Sequence, residues 1–231
     1  MTTFVIGGTG QTGSRVARLL HDGGFPLLIG SRKGSAPEPF KAVRFDWSEP
    51  STFGNPFDAD PTIDRVYVVA PTFSNPLPTV KPFFDLAVSK GVKRIVVCGG
   101  SAVWKGPSLF GPMLEYISEL GIEYTILRPT WFIGGFFTLR QHFDRDGLTT
   151  TKENLGSLYY ESIRKRDEIF SVMEDGRVPF VSVDDIAEEA FKCLTKVESL
   201  NGEVFLLGPD LYTCDEVRLL IPLHATFLTV Q

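Results

Sequence analysis

The sequence predicts an α/β protein in which a doubly wound parallel sheet carries a small, mostly helical lobe toward the C-terminus. Three observations support this fold class. Short apolar runs alternate with segments of helical spacing from the first residues onward. Glycines follow several helical segments, as at Gly23, Gly91 and Gly121, and helices commonly end at glycine. The 231 residues, 43% of them hydrophobic and 22% charged, are enough to bury a sheet between two helical layers.

The predicted strands are short apolar runs, which is typical of parallel strands buried on both faces. The first run ends directly before a glycine-rich segment. Because helical segments separate most of these runs, they are expected to form one parallel sheet. The strands are predicted at Thr3–Ile6, Pro26–Gly30, Ala42–Phe45, Arg65–Ala70, Arg94–Cys98, Glu123–Leu127 and Glu203–Leu207.

The predicted helices present apolar residues on one face. In Ser14–Leu20, Val16 and Leu20 lie on one face, whereas Arg15 and Arg18 lie on the other. A later helix begins with two carboxylates, which interact favourably with a helix N-terminus. Further helices are predicted at Thr79–Lys90, Ser108–Leu120, Val183–Leu194 and Cys214–Leu220.

Charge and cysteine content exclude several classes of function. The net charge is −5 and no stretch is strongly basic, so a nucleic-acid partner is not expected. Cys98, Cys193 and Cys214 are odd in number and lack metal-ligand spacing, so we expect neither a disulfide framework nor a metal site. The sequence shows no signal-peptide pattern and no run of about 20 apolar residues. We therefore expect a cytoplasmic protein without a membrane span.

A glycine loop between the first strand and the first helix is the strongest local signal. Gly7 permits a tight turn, Gly10 lets the backbone approach a pyrophosphate, and Gly13 lets the helix pack closely on the strand. N–H groups of the first helical turn then bind the phosphates. The alternative is a glycine-rich turn that binds nothing, but the flanking strand and helix favour a dinucleotide loop. The loop consists of Gly7, Gly8, Thr9, Gly10, Gln11, Thr12 and Gly13.

The end of the second strand predicts which dinucleotide binds. An acidic residue there would hold the ribose hydroxyls of NAD. This chain has Ser31, Arg32 and Lys33 instead, and a hydroxyl with two cations suits the 2′-phosphate of NADP(H). A solvated basic pair on a surface loop is the alternative interpretation.

Two further strand ends are expected to contact the same cofactor. Asp46 and Trp47 close the third strand, where the adenine would lie. Ala70 and Pro71 close the fourth, near the pyrophosphate and ribose. Trp47 could instead serve packing, and a proline also ends a strand for purely structural reasons.

Seven segments stand in the order seen in NmrA-like atypical short-chain dehydrogenases. Within that group the chain resembles the fungal ergot-alkaloid reductases, over about residues 3 to 215. The resemblance implies an extended Rossmann core, NADP binding and a substrate pocket over the nicotinamide. The segments are Gly7–Gly13, Ser31–Arg32, Phe45–Trp47, Lys93–Arg94, Tyr124–Phe132, Pro179–Val181 and Asp184–Ala187.

The resemblance also implies roles for residues near the nicotinamide. Carried over by position, Ser101 lies beside the nicotinamide at the end of the fifth strand and is the one candidate catalytic contact. Pro129, Trp131 and Phe132 would line the nicotinamide side after the sixth strand. These roles follow from the resemblance and not from spacing.

The chain is expected to divide functionally after residue 133. Residues 1–133 would form the NADP-binding Rossmann core, and residues 134–231 a substrate-binding lobe with late core elements, within a single NmrA-like domain. Residues 134–171 are rich in aromatic and charged residues and fit no clean strand. The resemblance implies a longer C-terminal part in relatives, where this chain carries the apolar segment Leu219–Gln231.

The residues that ordinary short-chain dehydrogenases use for carbonyl reduction are not all present. Those enzymes need a Tyr-x-x-x-Lys pair to protonate the alkoxide. Here the position four residues after Tyr116, where the lysine is required, holds Leu120. An iminium substrate removes that need, because hydride addition to it yields a neutral amine directly. Aromatic residues between 131 and 170 could surround such a cation.

We therefore expect an NADPH-dependent oxidoreductase of fungal secondary metabolism. It would transfer hydride to an iminium or conjugated double bond of a hydrophobic, alkaloid-like small molecule. One alternative is a cyclase or isomerase that keeps NADP(H) as a scaffold without net redox chemistry. The other is a dinucleotide-sensing regulator of the NmrA type without catalysis. The sequence is compatible with a homo-oligomer and does not determine the oligomeric state.

Overall fold

A seven-stranded, entirely parallel sheet forms the centre of the computed structural model, which describes residues 1–71, 75–101, 111–132, 175–213 and 216. The strands are β1 Thr2–Ile6, β2 Leu27–Ser31, β3 Ala42–Arg44, β4 Ile63–Val69, β5 Arg94–Cys98, β6 Glu123–Pro129 and β7 Gly202–Leu206. Their order across the sheet is β3-β2-β1-β4-β5-β6-β7. The predicted α/β class with a doubly wound parallel sheet is confirmed.

Helices form most of the connections between these parallel strands, whereas residues 32–41 join β2 to β3 without a helix. All but one of the described helices were predicted within a few residues of their observed ends. The short helix between β3 and β4 was not predicted, because five residues are too few to show a periodic pattern. The helices are α1 Gln11–Asp22, α2 Asn55–Ala59, α3 Leu77–Ser89, α4 Gly111–Ser118 and α5 Val183–Thr195. No helix in the described ranges has the length and apolarity needed to cross a membrane.

An aromatic cluster fills the core where β3 meets α3. Phe83 of α3 is fully buried, and its ring centroid lies 5.0 Å from that of Phe45 and 5.5 Å from that of Trp47. Phe53 stacks on Phe45 at 5.5 Å. Such ring pairs add stabilisation beyond the area they bury. The cluster fixes the chain after β3, and with it the position of Asp46.

Two compact units partition the chain. The first comprises Met1–Pro129 and Asp184–Leu206, and contains the whole sheet. The second comprises Thr130–Val183 and Leu207–Gln231. The functional division after residue 133 stays a prediction.

Backbone contacts order the described part of the second unit. The Val181 N–H donates to the Trp131 carbonyl at 2.9 Å. Phe132 forms a parallel bridge with Val181, and Val178 forms an antiparallel bridge with Tyr212. Residues 133–174, which hold most of the aromatic segment, lie outside the described residues.

Arg94 ties the sheet to the C-terminus of α5. Its side chain is buried, and its guanidinium donates to the carbonyl oxygens of Cys193 at 3.0 Å, Lys196 at 2.5 Å and Val197 at 3.0 Å. Nε donates to Glu123 on β6 at 2.7 Å. A cation at this position satisfies carbonyls that the helix end leaves unpaired.

Replacing Arg94 by Met should lower the free energy of unfolding by about 3 kcal/mol, roughly 1 kcal/mol for each carbonyl that loses its partner. Chemical denaturation followed by circular dichroism measures the change. Lys192→Met, which breaks an exposed pair with Glu189 on the same helix, is the control and should have little effect. Equal stability of the two variants would contradict the tethering role of Arg94.

Candidate dinucleotide-binding site

The glycine loop after β1 is a tight turn closed by its own backbone. Gly7 has φ +71°, a conformation that glycine adopts without strain, and the Gly10 N–H donates to the Gly7 carbonyl at 2.8 Å. A Cβ on Gly13 would lie 2.2 Å from the Gly7 oxygen and 2.7 Å from the Gly7 carbonyl carbon. No side chain fits at Gly13, so α1 starts directly against the turn.

The start of α1 offers backbone donors to a phosphate. Gly10 is the N-cap residue, and no side chain accepts the first N–H groups of this helix. Such unpaired N–H groups, with the positive end of the helix dipole, bind anions. Thr9 is exposed and Gln11 is half-buried, whereas the side chain of Thr12 is buried. The phosphate contact predicted for Thr12 is therefore one made by its backbone N–H.

Beneath the loop, Thr12 lies beside the buried Tyr67 hydroxyl of β4 and the thiol of the half-buried Cys98 of β5. Burial raises the pKa of Tyr67 well above its usual value and that of Cys98 to about 11. Both groups are neutral near pH 7. Neither has the properties of an acid, base or nucleophile, and Cys98 ends β5, as the sequence predicted.

The turn after β2 presents the predicted cations to solvent. The Ser31 hydroxyl donates to the Ser35 carbonyl at 2.8 Å and accepts from the Ser35 N–H at 3.0 Å. Gly34, with φ +69°, donates its N–H to the Ser31 carbonyl at 3.0 Å. Arg32 and Lys33 are exposed at the tip of this turn. Ser31 thus shapes the turn, and the two cations supply its positive charge.

Asp46 adds a negative charge close to that turn. Its carboxylate accepts from the Ser48 N–H at 2.9 Å and from the Ser48 hydroxyl at 2.7 Å. These hydrogen bonds, and to a lesser degree the charges of Arg32 and Arg44, hold the pKa of Asp46 below its usual value. Asp46 is therefore an anion near pH 7 and interacts with the predicted 2′-phosphate residue Arg32.

Trp47 joins β3 to the end of β4. Its indole N–H donates to the Val69 carbonyl at 3.1 Å, and its ring lies in the aromatic core cluster. Ala70 and Pro71 follow Val69 directly and are half-buried. The packing role considered for Trp47 is thus observed, while contact with an adenine stays a prediction.

Ser101 is held at the end of β5 by a residue that sequence reasoning did not select. The Ser101 N–H donates to the Pro129 carbonyl at 2.8 Å. The buried guanidinium of Arg128 donates to the carbonyls of Ser101 at 3.0 Å and Gly100 at 3.3 Å, and pairs with Glu203 at 2.5 Å. An arginine inside an apolar strand is rare, and that signal could have identified it.

The predicted nicotinamide-side residues fall in two units. Pro129 ends β6 in the first unit, where its carbonyl binds Ser101. Trp131 and Phe132 belong to the second unit, and 42% of the Trp131 surface is exposed. Their contact with a nicotinamide stays a prediction.

Tyr116 has a lysine neighbour in space although none follows it at the required spacing. Lys81 Nζ on α3 donates to the Tyr116 hydroxyl at 3.1 Å, and that hydroxyl donates to Asp85. Burial, followed by the hydrogen bond to Asp85, raises the pKa of Tyr116. A tyrosine acid is more effective when its pKa is lowered toward the working pH, so this cluster does not replace the Tyr-x-x-x-Lys pair.

A metal centre has no support in the described ranges, where no group of three or more His, Cys, Asp or Glu side chains is placed to hold an ion. Cys98 and Cys193 are free thiols, and Cys214 lies outside the described residues.

Strand order, glycine loop and helix start together define a Rossmann-type dinucleotide-binding protein. The order β3-β2-β1-β4-β5-β6 places the loop after β1 at the point where the strand order reverses, which is where such folds bind dinucleotides.

The solved structures agree on the fold. Triphenylmethane reductase of Citrobacter sp., in complex with NADP(H), matches with TM-score 0.70 at 19% identity, over 94% of this chain and 73% of that one. A nucleoside-diphosphate-sugar epimerase of Staphylococcus aureus matches with TM-score 0.70 at 18% identity, over 94% and 74%.

Sequence comparison gives the family. Festuclavine synthase II of Penicillium roqueforti is 37% identical over 224 residues, covering 94% of this chain and 71% of the relative. Agroclavine dehydrogenase of Claviceps fusiformis is 34% identical over 221 residues, with the same coverage. The chain belongs to the fungal ergot-alkaloid reductases, the family of these two enzymes. No protein-family model matches it. The family resemblance that the motifs predicted is confirmed. So is the prediction of an oxidoreductase of alkaloid metabolism.

Gly13→Ala should destabilise the protein by about 2 kcal/mol, because its Cβ would overlap the Gly7 carbonyl and force the turn away from α1. Thermal and urea unfolding measure the loss. Gly54→Ala is the matched control, since its Cβ would meet only Asp58 Oδ2 at 3.8 Å. A Gly13→Ala variant as stable as Gly54→Ala would show that the close approach of α1 is not required.

Proposed function

We propose that this protein is an NADPH-dependent oxidoreductase of fungal secondary metabolism. It transfers hydride to an iminium or conjugated double bond of a hydrophobic, alkaloid-like small molecule. The observation that carries this proposal is the juxtaposition, at one edge of the sheet, of the closed glycine loop at the start of α1 and the Ser31–Ser35 turn that presents Arg32 and Lys33. Family membership supplies the reaction class.

The residues at this edge fit NADP(H). Gly7, Gly10 and Gly13 leave the first turn of α1 open to a pyrophosphate, with no side chain between them. Arg32 and Lys33 supply positive charge where an NAD enzyme would place a carboxylate. Asp46, whose charge acts on Arg32, accepts two hydrogen bonds from Ser48, and Arg32 and Lys33 are exposed. This charge pattern favours the 2′-phosphate over a free ribose hydroxyl.

When bound, NADPH supplies the hydride, and the chain supplies position. Ser101 is the polar side chain proposed to contact the nicotinamide or the substrate. Arg128 acts as a positioning residue, because its guanidinium fixes the carbonyls of Gly100 and Ser101 from a buried site. No proton donor is needed for an iminium, which becomes a neutral amine when it accepts hydride. This agrees with the raised pKa of Tyr116.

The substrate class rests on the relatives. The names festuclavine synthase and agroclavine dehydrogenase refer to alkaloids, and a hydrophobic small molecule of that kind is the proposed partner. The free thiols Cys98 and Cys193 support a reducing, cytoplasmic location. Trp131 and Phe132 are proposed to line the nicotinamide side. A homo-oligomer stays a prediction.

Arg32→Ala should weaken NADPH binding by about 2 kcal/mol, or about 30-fold, because it removes a charge-assisted contact to the 2′-phosphate. NADH, which lacks that phosphate, should bind with nearly unchanged affinity. Fluorescence titration of both coenzymes measures the difference. Lys90→Ala, an exposed cation that follows α3, should alter neither affinity. Equal weakening of NADPH and NADH would disprove the 2′-phosphate assignment.

Turnover separates the proposed reductase from the two alternatives, a cyclase or isomerase and a dinucleotide sensor. With an iminium-containing clavine alkaloid as substrate, the wild-type protein should oxidise NADPH. The absorbance of NADPH should fall at the same rate as a saturated amine forms. Product formed without loss of NADPH would favour the cyclase, and equal affinity for NADP⁺ and NADPH without turnover would favour the sensor. Ser101→Ala should lower the turnover number and change NADPH affinity little, since the proposed contact is at the reacting end and the pyrophosphate and 2′-phosphate contacts remain.

A further inference from the structure

A third cation, Arg44, lies beside the turn that carries Arg32 and Lys33. Arg44 ends β3 in register with Ser31 of β2, and the N–H of the next residue, Phe45, donates to the Ser31 carbonyl at 3.0 Å. Neighbouring strands are about 4.8 Å apart, and residues in register on parallel strands point to the same face of the sheet. The side chain of Arg44 therefore begins next to that of Ser31, the position that holds the ribose in an NAD enzyme.

The basic turn packs directly on Arg44. A Cβ built on Gly34 would lie 3.3 Å from the Cβ of Arg44 and 3.3 Å from its backbone nitrogen. The charges of Arg32 and Arg44 both act on Asp46 and help to hold the pKa of its carboxyl group below the usual value. Both guanidinium groups are thus within electrostatic range of one carboxylate. An anion that reaches Arg32 therefore also enters the field of Arg44.

Arg44 binds one carboxylate and keeps further donors for a ligand. Its Nη2 donates to both carboxylate oxygens of Glu49 at 2.8 Å, and the two side chains are 56% and 43% exposed. An arginine carries N–H groups on Nε and Nη1 as well. Among the residues that the structure describes, none accepts a hydrogen bond from Nε or Nη1 of Arg44. These two nitrogens can therefore donate to an incoming oxyanion while Nη2 stays on Glu49.

Hydrogen bonds fix the backbone on both sides of this ion pair. The Glu49 N–H donates to the Asp46 carbonyl at 3.0 Å, and the Glu49 carbonyl accepts from the Thr52 N–H at 2.9 Å and from its hydroxyl at 2.7 Å. The side-chain amide of Asn55 donates to the Arg44 carbonyl at 3.0 Å. Glu49 therefore orients the guanidinium of Arg44 in advance, which reduces the entropy that a ligand must remove on binding.

We propose that Arg44 is a further coenzyme-selecting residue, which binds the 2′-phosphate together with Arg32 through the donors that Glu49 leaves unused. This inference rests on the proposed NADPH-dependent function. A phosphate group presents three acceptor oxygens, so it can accept from two guanidinium groups at once. Glu49 has two opposing effects, because it orients Arg44 and also repels the phosphate.

Titration of the full chain with NADPH and NADH, by fluorescence or calorimetry, tests this inference. Arg44→Met should weaken NADPH binding about 10-fold and leave NADH binding nearly unchanged, because only NADPH carries the 2′-phosphate. Lys41→Met, which removes an exposed cation just before the amino end of β3, is the matched control and should affect neither coenzyme. Unchanged NADPH affinity in Arg44→Met, or an equal loss for both coenzymes, would overturn the proposal.

A double variant separates direct contact from a long-range effect of charge. Glu49→Gln should strengthen NADPH binding about threefold, because the amide oxygen still accepts from Arg44 and the repulsion is removed. Arg44→Met combined with Glu49→Gln has the same net charge as the wild type. It should nevertheless bind NADPH about fivefold more weakly than the wild type, because the donors of Arg44 are missing. Wild-type NADPH affinity in the double variant would show that Arg44 acts only through its charge and would disprove the contact.

The Arg32→Ala variant distinguishes failure of this inference from failure of the proposed function. A protein that binds no NADPH, or that loses NADPH and NADH affinity equally on Arg32→Ala, contradicts the proposed function and this inference with it. A selective loss of NADPH affinity in Arg32→Ala, with wild-type affinity in Arg44→Met, overturns only the role of Arg44.

Discussion

The close approach of α1 to the turn after β1 is the constraint on which the dinucleotide site depends. With 2.2 Å between the Gly7 oxygen and a Cβ built on Gly13, only glycine allows the helix to begin there. That position points the unpaired N–H groups of the first turn toward the carboxyl edge of the sheet. The side chains of Tyr67 and Cys98 below the loop are neutral, so the field at the loop comes from the backbone and the nearby cations.

Two buried arginines organise opposite edges of the same sheet. Arg128, at the carboxyl end of β6, binds the carbonyls after β5 and so fixes the segment that carries Ser101. Arg94, at the amino end of β5, binds the carbonyls at the end of α5. Each is paired with one glutamate, which compensates the charge of the buried guanidinium. The planar guanidinium suits this work, because it donates in several directions at once.

Exposure separates the cations of the basic turn from the buried arginines of the sheet. The Arg32–Lys33 pair is exposed on a turn that the Ser31 hydroxyl shapes, so the proposed cofactor phosphate would meet it in solvent. Arg94 and Arg128 are instead buried, and each is held by backbone carbonyls and a glutamate. The exposed pair therefore suits selection among dinucleotides, whereas the buried pair stabilises the sheet and its ends.

The sequence alone determined the parallel α/β sheet, the glycine loop, the basic turn and the family, because each leaves a local signal such as an apolar run, a glycine spacing or a charged dipeptide. It also predicted Ser101 as a site residue through the resemblance, and that role stays a prediction. Tertiary structure alone decided that the Ser31 hydroxyl is used within its own turn, that Trp47 donates to Val69, and that Arg128 holds the Ser101 segment. It likewise brought Arg65 and Arg94 into register. These are contacts between residues far apart in the chain or between side chain and backbone, and only the packing of neighbouring strands defines them.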